Sequence, residues 1–196
     1  MTSSKELHKM TLEKLGHLFP IIIQDYSDKW ISFYQSESKL IINSFSHTDI
    51  VKIDHIGSTA IPGLKAKPTI DILLQVAEQI DIPKMKNVFK SLDYHINEHP
   101  DNPPPHLTFV KGYTKQGFKG QTYHVHIRYK GDWDEIRFRD YLINHKKIAK
   151  EYETIKLELA DRYKNDREAY TNSKTDFIEK INKLTRKQST NAQHPI

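Results

Sequence analysis

An acid alone in an apolar run, Asp71 in "TIDILLQV", and two histidines one residue apart, His124 and His126 in "QTYHVHIRYKG", are the side chains of this sequence best suited to chemistry. A carboxylate in the middle of a buried strand is costly unless it is paired or faces a polar surface. A His-x-His pair on a strand aims both imidazoles to one side, with Cβ atoms about 7 Å apart. That spacing shares a metal or flanks an anion, and a histidine so placed also suits a general base. Arg128 continues the row, which also describes an ordinary solvent-facing strand. Upstream, "HIGSTAIPGLKAKP" makes a turn at Gly57-Ser58, where glycine permits close backbone approach. Ser58 and the adjoining Thr59 offer hydroxyls and N–H groups to phosphate oxygens there. Gly-Ser is equally ordinary turn punctuation, so its grouping with Asp71 and the histidines gives it weight. Lys67, Arg128 and Arg139 are the cations placed to neutralise a bound anion.

These residues need strands to hold them. "IVKIDHIG" and "TIDILLQV" read as strands joined by the Gly57-Ser58 connection, "DYHIN" and "HLTFVKG" as strands around the loop "EHPDNPPP". "QTYHVHIRYKG" alternates Tyr123, Val125, Ile127 and Tyr129 against His124, His126 and Arg128. A first helix starts at a Ser3 or Ser4 cap, with Glu6 in its first turn and Leu7, Met10, Leu15 and Leu18 on one face. "PIIIQDY" is a short β-rich segment, and a second helix follows a Ser27 cap. Pro83 opens a short helix. Trp133 to about Tyr163 reads as one long helix, and a final helix capped by Asp166 turns Tyr170, Phe177, Ile181 and Leu184 to the core. Four or five strands interleaved with helices predict an α/β (α+β) fold with a mixed sheet, because the hairpin-like spacing of residues 107–129 argues against an all-parallel one.

The chain fits a single domain over residues 1–184, with a polar, aperiodic tail at 185–196 read as disordered. Thirty Lys and Arg against 25 Asp and Glu give a net charge of +5, compatible with an anionic ligand. Interleaved basic and aromatic residues are missing, which argues against a nucleic-acid partner. The absence of cysteine excludes disulfides and thiolate sites, leaving His, Asp and Glu as the strong metal ligands. With no signal-peptide core or membrane-length apolar run, a cytoplasmic protein with no membrane partner is expected.

In "YSDKW" (26–30), "DHIGSTAIPGLKAKPTIDILLQV" (54–76), "YHVHI" (123–127), "RFRDYLINHKKIAKEYETIKLELADRY" (137–163) and "DREAYTNSKTDFIEKI" (166–181), the chain resembles the GrpB family. The resemblance implies a nucleotidyltransferase-like fold with long C-terminal helices, distantly related to DNA polymerase beta. In that superfamily a Gly-Ser turn holds nucleotide phosphates and a following strand supplies Asp-x-Asp for divalent metal. Gly57-Ser58 matches the first element and Asp71 one acid of the second. Thr69 and Leu73 stand where the other acid would be, and His124 or His126 falls on the later strand that supplies a third ligand. The implied cofactor is a divalent metal, Mg²⁺, Mn²⁺ or Zn²⁺, with histidine favouring the latter two. The implied partner is a nucleotide or small phosphorylated ligand. The implied activity is nucleotidyl or phosphoryl transfer, or else non-catalytic binding by an accessory module with a degenerate site.

Overall fold

Five strands form one mixed sheet in the computed structural model, which describes Leu7 and residues 9–193, with side chains as far as Lys187. They are β1 (Ile50–Ile56), β2 (Thr69–Val76), β3 (His95–Glu98), β4 (Leu107–Thr114) and β5 (Gly117–Tyr129), in the spatial order β1-β2-β5-β4-β3. β4 and β5 pair antiparallel, as their spacing predicts. β2 and β5 pair parallel, in a register that sets Asp71 beside His124 and Leu73 beside His126.

Period-two alternation gives the sheet two different faces. Ile70, Ile72, Leu74 and Val76 of β2 and Tyr123, Val125 and Ile127 of β5 point into the main core. Helices α2 (Lys29–Asn43) and α3 (Ile82–Ser91) supply Trp30, Ile41, Met85 and Phe89 to it. α3 forms where it does because Asp81 Oδ1 accepts from the N–H of Lys84 and Pro83 pre-sets the first turn. Phe89 then stacks on Phe109 with ring centroids 4.0 Å apart. The opposite face carries Asp71, His124, His126 and Arg128.

That second face is walled by the C-terminal helices, which differ from the sequence expectation. The single helix from Trp133 to Tyr163 is two, α4 (Asp134–Asn144) and α5 (Lys146–Arg162), parted at His145, whose φ of −122° and ψ of 71° leave the helical region. Its ring stacks on Tyr141 and bonds the Tyr141 carbonyl, fixing the break without glycine or proline. The last helix is likewise two, α6 (Arg167–Asn172) and α7 (Thr175–Gln193), with Asp166 capping α6 as expected. Leu184 is 42% exposed and does not reach the core. α7 runs on to Gln193, so residues 185–193 are helical where a disordered tail is expected; Thr185 is buried and Arg186 pairs with Asp134 of α4. Ile61 and Leu64, after the turn at Ser58–Ala60, plug into a second cluster with Phe138, Leu142, Ala149, Tyr152 and Ile181. This anchors the helical wall directly to the Gly57-Ser58 connection.

Near the N-terminus, α1 (Leu12–Leu18) is capped by Thr11; the Ser3 or Ser4 cap and Glu6 lie outside the described residues. The α2 cap position is Asp28 rather than Ser27, without a side-chain bond, and "PIIIQDY" contributes one bridge, Gln24 to Ala66. Among the described residues no helix is long and apolar enough to cross a membrane.

Candidate functional site

Parallel pairing of β2 with β5 brings together the three residues that the sequence singles out. Asp71 Oδ1 stands 3.3 Å from His124 Nδ1 and 3.5 Å from His126 Nε2. The three donor atoms lie within 4.8 Å of one another. Two ligands at 2.0–2.1 Å from a tetrahedral ion stand about 3.4 Å apart, so the two separations from Asp71 have the length of an edge of such a site. One carboxylate and two imidazoles suit Zn²⁺ or Mn²⁺ better than Mg²⁺, which asks for oxygen ligands in a near-octahedral shell. The side chains keep 26%, 20% and 26% of their surface for Asp71, His124 and His126, enough for an ion to reach them from solution. His124 Nε2 meets the Tyr113 hydroxyl at 2.8 Å, which leaves Nδ1 free to face Asp71. Such an outer hydrogen bond fixes the ring and tautomer of a ligating histidine. For an ion held on this triad, Tyr113→Phe is therefore expected to keep the fold and weaken binding about 10- to 100-fold, as read by competition with a chromophoric chelator; unchanged affinity would remove Tyr113 from the site.

The Gly57-Ser58 turn sits directly against the acid. Gly57 has φ 69° and ψ −172°, and a Cβ there would lie 2.6 Å from Asp71 Oδ2. Ser58 and Asp71 line one cavity of about 540 Å³ with His126, Tyr152 and Trp133. Thr59, expected beside Ser58 as a phosphate ligand, is buried instead: its hydroxyl donates to the Thr69 carbonyl and pairs with His55 Nε2 at 3.0 Å. With Tyr34 stacked on His55, this bond chain holds the turn in place.

Sequence similarity covers this whole arrangement: residues 20–184 match the family model described as GrpB protein. The chain belongs to the GrpB family. It is 34% identical over 174 residues to the Glutamate-rich protein GrpB of Alkalihalophilus pseudofirmus, covering 82% of this chain and 93% of that one. A UPF0157 protein of Pseudomonas aeruginosa is 37% identical over 154 residues, covering 78% of this chain and 62% of that longer one. The fold is similar to the crystal structure of conserved protein GrpB from Enterococcus faecalis, with a TM-score of 0.74, 29% identity, and 86% of this chain and 99% of that one covered. The mixed sheet, the C-terminal helices and this likeness agree with the nucleotidyltransferase-like architecture expected from the sequence.

Two of the three expected anion-binding cations of this GrpB-family chain are bonded to scaffold groups, although Arg128 also lines the larger cavity with His124 and His126. Arg128 is 4% exposed, donates to Glu135 Oε1 at 3.0 Å and to the Ile127 carbonyl at 2.9 Å, and lies over Trp133. Arg139 reaches β1 rather than the cleft, donating to the His55 carbonyl at 2.8 Å and to Asp140. Their residue type invited the reading, and acids and carbonyls supplied by the fold take them up. Lys67 alone is placed to act on Asp71, with which it interacts electrostatically. The site gains three residues that the sequence leaves among core aromatics and surface cations. Tyr113 and Tyr152 are buried beside His124 and Ser58, while Arg167 comes from the start of α6. Arg167 lies 5.6 Å over the Tyr113 ring and lines a larger cavity, about 1400 Å³, with His124 and His126. His126 borders both cavities.

Burial drives His124 down to about 4 against the pull of Asp71. Burial raises Asp71, but hydrogen bonds and charge from the two histidines outweigh it and hold the carboxyl well below its usual range. Both directions agree on ionised Asp71 and neutral His124 at neutral pH, the forms that bind metal without losing a proton. His55 is also driven down to about 4 by burial, against Asp71. Between pH 6.5 and about 4 the unfolded chain protonates both imidazoles while the folded chain does not, so stability falls as pH falls through that window. Urea midpoints of the metal-free protein should drop by the equivalent of a few kcal/mol from pH 7 to pH 4.5, since each tenfold loss of proton affinity on folding is worth about 1.4 kcal/mol. A flat profile over that range would show that neither ring is buried neutral.

Proposed function

We propose that this GrpB-family protein binds a nucleotide or another phosphorylated metabolite at a single-ion centre made by Asp71, His124 and His126. One observation carries the reading: the three side chains meet at metal-ligand spacing, and Gly57 and Ser58 open onto the same cleft. When bound, such an ion supplies Lewis-acid charge to a phosphoryl oxygen. Ser58, beside the Tyr152 hydroxyl, offers its own hydroxyl and neighbouring N–H groups to phosphate. Lys67, which burial lowers to about 7 against the pull of Asp71, supplies positive charge in its protonated form. The enzymatic form of this reading is nucleotidyl or phosphoryl transfer between ligands in the two cavities that His126 borders.

A binding module without turnover is the second reading, and a specific observation favours it. Thr69 and Leu73, the positions flanking Asp71 on its face of β2, are 3% and 0% exposed, and Thr69 is bonded to Thr122 across the sheet. The carboxylate pair that holds two Mg²⁺ ions in two-metal transfer is therefore missing. Thermal-shift screening of nucleotides with Mg²⁺, Mn²⁺ or Zn²⁺ tests ligand binding, comparing the wild type with Asp71→Ala and His126→Ala. A nucleotide-dependent shift in the wild type alone is expected; no shift, or equal shifts in all three proteins, would reject the site. Phosphorus NMR of the bound nucleotide then separates transfer from binding.

A further inference from the structure

Helix α1 stands over the cavity that His124 and His126 line, and only one of its seven residues, Gly16, is buried. Leu12 is 73% exposed, and it borders the cavity together with the half-buried Met10 and Leu15. Asn97, Thr108, His124 and His126 of the sheet line the same cavity, of about 1400 Å³. The apolar side chains of α1 therefore face open space rather than a core. So short a helix is marginal in water without packing, and its place depends on what fastens it.

Among the described residues, those fastenings lie at its C-terminal end. A Cβ on Gly16 would lie 1.7 Å from the Asn165 carbonyl oxygen, so the glycine seats α1 backbone on backbone against the link between α5 and α6. The Phe19 ring meets Tyr113 edge-on at 5.1 Å and Phe118 at 5.2 Å. Its carbonyl accepts from Arg167 at 3.1 Å. Beyond Pro20 the chain is tied to the body again, by the Ile21 N–H to the Lys164 carbonyl at 2.7 Å and by the pairing of Gln24 with Ala66. Pro20 is therefore the pivot, with a helix held by three contacts on one side and anchored chain on the other. Phe19 packs on Tyr113, whose hydroxyl bonds His124 Nε2, so lifting α1 also loosens the ring that holds His124.

We infer that α1 is a hinged cover of the larger cavity: seated on Asn165 it closes the approach to His124 and His126, and swung about Pro20 it opens that approach and releases Tyr113. The inference concerns access to the histidines and holds whether or not they bind an ion. Covers are drawn from weakly packed segments, because opening then breaks only a few contacts. Exposed Leu12 with half-buried Met10 and Leu15 gives this cover an apolar underside that the protein core does not claim.

The test uses the full chain without metal. Amide hydrogen exchange read by mass spectrometry should show residues 12–18 exchanging at least about tenfold faster than residues 122–128 of β5, the mark of local opening. Acylation of histidines by diethyl pyrocarbonate reads access, with His47, exposed and outside the cavity, as the internal reference. Gly16→Ala favours the helix itself while removing its seat. It is expected to raise the rates at His124 and His126, relative to His47, at least about tenfold, because modification follows the open population. Phe19→Leu, which trims the ring on Tyr113, should raise the same ratios by a smaller factor. Circular dichroism confirms each fold; if Gly16→Ala does not fold, Phe19→Leu decides. Amides of α1 as slow as those of β5 in the wild type, or unchanged ratios in the folded variant, would overturn the inference. Neither readout uses bound metal, so failure of the ion centre shows in metal content alone and failure of the cover in histidine access alone.

Discussion

Asp71→Asn is expected to lower the affinity of the proposed ion centre for Zn²⁺ or Mn²⁺ by more than about 100-fold, beyond what the loss of an outer hydrogen bond costs. The change keeps the size and shape of the side chain and removes its charge. Asp71 Oδ1 is the atom from which both histidine distances are set, 3.3 Å and 3.5 Å, so it is the hinge of the triad. An amide oxygen still accepts hydrogen bonds from the two rings, so the fold should survive. Two imidazoles alone remain, held on neighbouring alternate positions of one strand. Competition with a chromophoric chelator reads the affinity, and circular dichroism confirms the fold. Loss of less than tenfold would mean that the ion, if bound, sits elsewhere.

Gly57→Ala is the second large effect, and it strikes stability and binding together. The backbone at Gly57, φ 69° and ψ −172°, lies in a region that side-chain-bearing residues essentially avoid, at about 1–3 kcal/mol. The added methyl also meets Asp71 at 2.6 Å from Oδ2 and 3.0 Å from Cβ. Either the turn or the carboxylate must move. The expected outcome is a lower denaturation midpoint together with metal affinity reduced at least tenfold. A variant as stable as the wild type that binds metal equally well would show that the turn does not position the acid.

How much of this was legible follows the range of the interactions. Strand parity is local, so His124 and His126 on one face, and the apolar Tyr123, Val125 and Ile127 on the other, are readable from spacing alone. The encounter of Asp71 with His124 is not, because it depends on a parallel pairing between residues 53 positions apart, with three strands' worth of alternatives. Arg128, Arg139 and Thr59 have the right chemistry for a ligand, but Glu135, the His55 carbonyl and the Thr69 carbonyl claim them in the folded chain. Tyr113, Tyr152 and Arg167 show the converse. A tyrosine at core spacing gives no sign of where its hydroxyl points, and a cation in a helical segment resembles a solvated one until the other helices close around it. The break at His145 carries no glycine or proline, and its signal is the stacking of that ring on Tyr141.

Metal content of the purified chain shows whether Asp71, His124 and His126 hold an ion. The protein is stripped, equilibrated with equimolar Zn²⁺ and Mn²⁺, desalted, and assayed by inductively coupled plasma mass spectrometry beside the triple variant Asp71→Asn, His124→Asn, His126→Asn. The geometry predicts close to one ion per wild-type chain and essentially none in the folded triple variant. A wild type without bound ion, or a triple variant that retains it, would mean that these three side chains hold no metal.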